Sequence, residues 1–362
     1  MILHRYFARR FLGAFLGTLG IFFLILLFVD LIEQARRFGG SVPLGGLVQL
    51  SALSLPGALY RLLPLIVIIA TLSLFLSLAR SSELVVTRAA GRSALRALIA
   101  PLGVTLLIGA VAVALINPLV ATTGREYDAR VDRIEGRDRA SALASDGLWL
   151  RQGGAEGQTV IRARRTNLDG TVLWDATFLT FAEDGHPTRR VEAARAELDG
   201  DSWVLGDAKA WDLDATNPEA GATRAARLDL PANLTADEIR AGFGDPAGIP
   251  IWELPAYIAR LSNSGFTASR HQVWFHSELS QPLFLAAMVL IGAAFTMRHQ
   301  RSGRTGLMVL TAILLGFGAY FLRNFAAVLG ENGDIAPALA AWTPPAAVTL
   351  LTLGLILHLE DG

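Results

Sequence analysis

The chain has 362 residues, 52% of them hydrophobic and 18% charged, with 32 basic side chains balancing 32 acidic ones. A charged share below the ~25% usual for soluble domains points to surface that faces lipid, and zero net charge carries no signal for a nucleic-acid partner. The absence of cysteine excludes disulfides, thiolate metal sites and a cysteine nucleophile.

A membrane-crossing helix needs about 20 mostly apolar residues to pass about 30 Å of hydrocarbon. Six segments qualify, in chain order 11–30, 57–79, 97–120, 270–297, 305–329 and 336–359. The first follows Arg5, Arg9 and Arg10, as a secretory signal would. Its apolar run exceeds the roughly 7–15 residues of a signal core, and no small-x-small cleavage site precedes the charges that begin at Asp30, so a retained span is expected. Arg80, Arg88, Arg92 and Arg96 lie between spans two and three, and Arg298, Arg301 and Arg304 between spans four and five. Short basic loops stay in the cytoplasm, so both termini are expected inside and the long segment between spans three and four outside.

That segment changes character. Tyr127 to Arg139 reads as a charged helix continuing out of span three. Strand-like runs follow at Leu148 to Leu150, Thr159 to Arg165, Thr171 to Phe181, Arg190 to Leu198, Ser202 to Leu213 and Ala225 to Leu230. Gly153-Gly154, Asp169-Gly170, Asp184-Gly185, Asp199-Gly200 and Asn217-Pro218 punctuate them as turns. Short strands at this spacing predict an antiparallel sandwich, jelly roll or open barrel. Helical pattern resumes with a capped stretch at Thr235 to Ala241 and an amphipathic one at Ile251 to Asn263. The expected domains are an N-terminal transmembrane part at 1–134, a β domain at 135–245 and a C-terminal transmembrane part at 246–362.

Catalytic signatures are missing. A P-loop needs Gly-Lys-Ser/Thr, and the one lysine, Lys209, sits in a strand-like run. No His-Glu-x-x-His or Gly-x-Ser-x-Gly occurs, and His271 and His276, five apart, suit a surface better than a shared site. Ionisable residues within spans are costly and mark function. Arg323 is the clearest, Arg61 lies near the outer end of span two, and Asp30, Glu33, Arg36 and Arg37 cluster after span one. No span carries the run of Asp, Glu and His of a proton relay.

Between spans two and three, residues 81–93 read as a short amphipathic helix. Ser81 or Ser82 can cap it, Glu83 suits the positive end of its dipole, and Gly91 suits its C-terminal end. Leu84, Val85 and Arg88 are then placed to touch a partner. This segment, Arg80 to Gly91, closely resembles the cytoplasmic coupling helix of the lipopolysaccharide-export permeases, the LptF/LptG (YjgP/YjgQ) family. Phe28-Val29-Asp30, Asn117-Pro118-Leu119, Asp146-Gly147-Leu148-Trp149, Ala340-Ala341-Trp342-Thr343-Pro344 and the terminal Glu360-Asp361-Gly362 extend the likeness along the whole chain, on its LptG side.

The resemblance implies a membrane α-helical protein of six transmembrane helices with an all-β periplasmic β-jelly-roll domain inserted between helices 3 and 4. It implies a non-enzymatic permease subunit of an ABC-type exporter in the Gram-negative inner membrane, paired with LptF above an LptB ATPase dimer that holds ATP and Mg. Lipopolysaccharide would pass to LptC and an LptA bridge, and this chain would bind no cofactor. By position, Glu83 would face a basic residue of the ATPase, with Leu84, Val85, Arg88 and Gly91 in the same interface. Arginine binds phosphate through charge-assisted, bidentate hydrogen bonds. The lipid head-group candidates are therefore Arg36, Arg37, Arg61, Arg125, Arg130, Arg133 and Arg323, together with Asp30. Some family members carry a head-group lysine just before Phe-Val-Asp; this chain has Leu27 there, with Arg36 and Arg37 the next cations. The competing reading is a non-transporting relative that transmits force for envelope assembly.

Overall fold

The computed structural model describes residues 2–81, 83, 94–134, 148–154, 157–167, 170–182, 184–232, 246–263, 267–297 and 305–361. They form two compact units. The first comprises Met1–Asp128, Pro246–Leu254 and Ser269–Gly362; the second comprises Ala129–Asp245 and Pro255–Ala268. The capped stretch expected at Thr235 to Ala241, Leu84 to Ser93 of the inner segment, and Arg298, Arg301 and Arg304 lie outside the described residues.

The helices are α1 (Ile2–Phe38), α2 (Leu44–Arg80), α3 (Ala94–Val111), α4 (Asn117–Ile134), α5 (Leu254–Asn263), α6 (Ser269–Leu279), α7 (Gln281–Thr296), α8 (Thr305–Glu331) and α9 (Pro337–Asp361). Among the described residues, five helical segments are long and apolar enough to cross a membrane: α1, α2, α3 running into α4, α8 and α9. A sixth exists if α6 and α7, bent by 51° at Ser280, count as one broken span. Most helices run past their apolar windows; α1 extends from the expected 11–30 to Ile2–Phe38 because its polar ends also favour helix.

In the first unit α2 and α7 lie inside while α1 and α8 lie outside. Only 11% of α1's apolar window and 17% of α8's is buried, against 61% for α2. Phe7, Phe11 and Phe15, spaced by one helical turn, form the stripe by which α1 joins the core of Ile66, Phe75, Phe284 and Met288. Close packing against α7 depends on two glycines. A Cβ on Gly109 would stand 2.6 Å from the Pro282 Cα, and one on Gly292 would stand 2.9 Å from the Thr71 Cγ2.

Both helix irregularities trace to proline. Pro118 has no N–H for the Ala114 carbonyl, and a π-helical turn, Ala112–Ile116, precedes α4. The indole Nε1 of Trp252 donates to that Ala114 carbonyl at 3.1 Å, and the Ile251 N–H donates to Asn117 Oδ1 at 3.0 Å. Pro282, in the first turn of α7, marks the bend in the fourth span.

The second unit holds one antiparallel sheet in the order β1 (Leu148–Gly154), β2 (Gly157–Thr166), β3 (Val172–Phe181), β4 (Pro187–Asp199), β5 (Ser202–Asp212), β6 (Thr223–Pro231). All six expected strand runs are present: β1, β2, β4 and β6 run a few residues longer than expected, while β3 starts and β5 stops one residue short. The tight turns use Gly185 and Gly200 at φ 89° and 58°, where a side chain would be strained.

A single sheet with a buried face must cover that face itself. Along β2 to β6 the inward set changes phase at one transverse row, where two successive residues turn away from the core: Arg164-Arg165, Trp174-Asp175, Ala194-Arg195, Gly206-Asp207 and Ala226-Arg227. Asp175 and Asp207 both take φ 52° there. The sheet folds along this crease. Phe178 from one leaf meets Trp203 from the other, with rings 5.9 Å apart, both essentially fully buried. In a flat sheet β1 and β6 would stand about 24 Å apart, five strand spacings. Here the Gln152 Nε2 of β1 donates to the Pro231 carbonyl of β6 at 2.9 Å, and Trp203 Nε1 donates to Gln152 Oε1 at 3.4 Å. The core between the leaves is rich in alanine, with Ala163, Ala176, Ala193, Ala196 and Ala208 buried.

Candidate functional site

Glu83 lies just past the end of α2, and α1 supplies its partners. Tyr6 Oη donates to Glu83 Oε2 at 2.8 Å, Arg10 Nη2 lies 3.2 Å from Oε1, and Ser81 Oγ donates to Oε1 at 2.8 Å. Arg10 also donates to Ser77 Oγ at 3.4 Å and stacks over the Tyr6 ring. Partial burial pushes the Glu83 carboxyl up, but the hydrogen bonds from Tyr6 and Ser81 and the charge of Arg10 outweigh it and leave it below the usual glutamate range. The carboxylate is anionic at neutral pH and about one-third exposed. The sequence singled out Glu83 but not Tyr6; Arg10 was read only as one of the basic residues ahead of the first span. Leu84, Val85, Arg88 and Gly91 lie outside the described residues.

A second polar cluster lies inside the helical unit, at the break between α6 and α7. Glu278, in the last turn of α6 and 3% exposed, accepts a hydrogen bond from Tyr60 of α2. Arg323 of α8 bridges the break: Nη2 donates to the Ser277 carbonyl at 2.9 Å on the α6 side, and Nη1 donates to Gln281 on the α7 side. Its guanidinium lies 4.9 Å from the Phe284 ring centroid. A cavity of about 300 Å³ opens beside the cluster, lined by Tyr60, Arg61, Trp274, Glu278, Tyr320 and Arg323 among others. Glu278 escaped the sequence reading because it sits at the edge of an apolar run. Its position one turn before Pro282, in a chain with Arg323 in another span, was the available signal.

The remaining head-group candidates do not gather around that cavity. Arg36 pairs with Glu33 at 2.8 Å and Arg37 stacks on Phe38, both at the end of α1. Asp30 carries a buried Oδ2 without a hydrogen-bond partner. Arg125 packs near Gly248. Arg130 and Arg133 belong to the second unit, where Arg133 Nε donates to the Ala129 carbonyl at 3.0 Å. His271 differs from expectation: it is 4% exposed, because its face of α6 turns into the helical unit instead of outward.

The model of the family described as lipopolysaccharide export system permease LptF/LptG matches residues 5–358. The lipopolysaccharide export system permease protein LptG of Escherichia coli (strain K12) is 26% identical over 360 residues, covering 99% of this chain and 98% of that protein. The protein of the same name from Haemophilus influenzae is 25% identical over 344 residues, covering 92% and 91%.

Proposed function

Because the chain belongs to the lipopolysaccharide export system permease family LptF/LptG, we propose that it is one half of an ABC-type exporter. It extracts lipopolysaccharide from the Gram-negative inner membrane and passes it to a periplasmic bridge. The observation that carries this reading is the match over residues 5–358, spanning both helical blocks and the folded sheet between them. In it the fourth span is the broken α6–α7 pair, giving six spans, both termini lie in the cytoplasm, and the folded sheet is a periplasmic β-jelly roll.

The chain works with LptF as a heterodimer, with an LptB ATPase dimer that binds ATP and Mg, and with LptC and an LptA bridge. The uncovered apolar faces of α1 and α8, including Phe28, Leu24, Phe321 and Phe325, support a second permease half and a lipid-filled space beside them. Glu83 receives the ATPase, with Leu84, Val85, Arg88 and Gly91 around it. Tyr6 and Arg10 tie that input to α1, so that a moving coupling segment pulls on an outer span. Arg61 and Arg323, facing one cavity, take the phosphorylated head group, and acyl chains follow between the leaves of the sheet.

Two measurements test the reading. Glu83→Ala is expected to reduce co-purification of the ATPase; retention at the wild-type level would remove the coupling role. Photo-crosslinkers at Phe178 or Val191, on the inner face of the sheet, are expected to capture lipopolysaccharide during ATP turnover. Absence of any adduct would favour the force-transmitting alternative.

A further inference from the structure

Residues 97–124 carry no charge, and Arg96 and Arg125 bracket them. Within that stretch Leu107, Val111, Leu115 and Leu119, spaced four apart, are all exposed, the stripe that a spanning helix turns to lipid. From Ala97 to Leu119 a helix rises about 33 Å, the thickness of a hydrocarbon core. Ala114 therefore lies about 7.5 Å inside the Leu119 end. At that level the segment Pro246–Leu254 packs on the π-helical turn. Ile251 and Leu254 join Val113 in a small core of their own. Trp252 turns the other way and is 67% exposed, with its indole Nε1 donating to the Ala114 carbonyl at 3.1 Å.

Irregular backbone at membrane depth is tolerated only where its polar groups are satisfied within the protein. The N–H groups of Ile249, Glu253 and Leu254 donate to the carbonyls of Pro246 and Pro250, that of Ile251 donates to Asn117 Oδ1 at 3.0 Å, and Pro250 has none to place. The Trp252 N–H in turn takes the carbonyl that Pro118 leaves without its helical donor. With that donor used, the exposed ring offers apolar surface alongside Leu115. An amphipathic indole settles where head groups meet acyl chains. Glu253, the next residue, is also exposed, and its charge holds the segment at head-group level and keeps it from sinking deeper.

We propose that Pro246–Leu254 is an interfacial strap and that Trp252 binds lipid: its ring lies at the boundary between head groups and acyl chains, in the leaflet at the Leu119 end of the third span, while its N–H is held by that span. The anchored strap fixes the depth of the third span and of the chain where it returns from the sheet to the fourth span. The anchor requires that the third span cross the bilayer and is independent of what the protein carries.

The test uses the full chain, assembled with its second permease half, in bilayers of phosphatidylcholine brominated either near the head group or near the chain ends. The emission of Trp252 is taken as the difference between wild type and Trp252→Phe. It is expected to be blue-shifted and to fall at least ~2-fold with bromine near the head group, less with bromine at the chain ends, and little with aqueous iodide, as for an indole seated at the interface. Trp342, exposed on the separate span α9, remains in both forms, so the quenching left in the variant shows that the chain is inserted. With insertion shown in this way, quenching of Trp252 by iodide in place of bromolipid would overturn the anchor. So would insensitivity to both, which would mean that a protein surface covers the ring. Because the chain has no cysteine, Glu253→Cys carrying a nitroxide gives a second reading of depth. That label is expected at head-group level by power saturation, and it decides alone if Trp252→Phe does not fold; a label reporting bulk water would overturn the strap.

Discussion

Replacing Gln152 with alanine tests whether one side chain holds the folded sheet shut. Gln152 is 6% exposed and joins β1 to both β6 and the buried Trp203. Pro231 is exposed, so its carbonyl recovers water and only the net value of a hydrogen bond is lost, about 1 kcal/mol. The Trp203 N–H has no such recourse in a fully buried ring, and stranding it costs about 1–3 kcal/mol, with the low end favoured because its bond is already long at 3.4 Å. The sum, about 2–3 kcal/mol, would raise the population of the opened seam roughly 30- to 140-fold. Hydrogen exchange of the full chain in detergent reads this directly. Amides of β1 and β6 should exchange faster by that factor, while amides of α2 in the other unit should not change. The double variant Gln152→Leu/Trp203→Phe removes both members of the buried bond and should recover much of the protection. Unchanged exchange of β1 in Gln152→Ala would show that the leaves close without this contact.

Two further outcomes follow from the geometry. Gly109→Ala drives a methyl group into Pro282 and should cost about 1–3 kcal/mol, seen as a lower melting midpoint in detergent, whereas Gly103→Ala enters open space and should leave it unchanged or slightly raised. In the β3–β4 turn, His186 Nδ1 lies 2.5 Å from Asp184 Oδ1, and that hydrogen bond and charge, helped by Asp214, raise the imidazole above its ordinary 6.5. The raised value means that the turn gains support below pH 6.5 and loses it as pH rises through the folded value. NMR titration of His186 should therefore show a midpoint above that of a free histidine, moving back toward it in Asp184→Asn.

Some features were legible because they depend on local pattern. Apolar runs of spanning length located the helical segments, alternation and Asp-Gly turns located the six strands, and the stretch from Arg80 to Gly91 carried the family. The fourth span was legible as an apolar run but not as a broken one, since Pro282 inside a hydrophobic stretch reads the same whether the helix continues or bends. Glu83 was visible as an acid at a helix start, yet Tyr6 and Arg10, more than seventy residues away in sequence, were invisible as its partners.

The sequence by itself determined what must be buried or face lipid, because hydrophobic period and length act along the chain. It did not determine what each charge would meet. Arg323 stood out as a cation within a span, but only the packing of α6, α7 and α8 put it across a helix break and on the wall of a cavity that Glu278 also lines. The six strands were likewise readable one by one. That they form a single sheet folded on itself, with β1 and β6 joined by Gln152, was decided by contacts between residues far apart in the chain. The physical reason is the same in both cases. Partnership between buried polar groups is a property of three-dimensional neighbours, and spacing along the chain does not encode it.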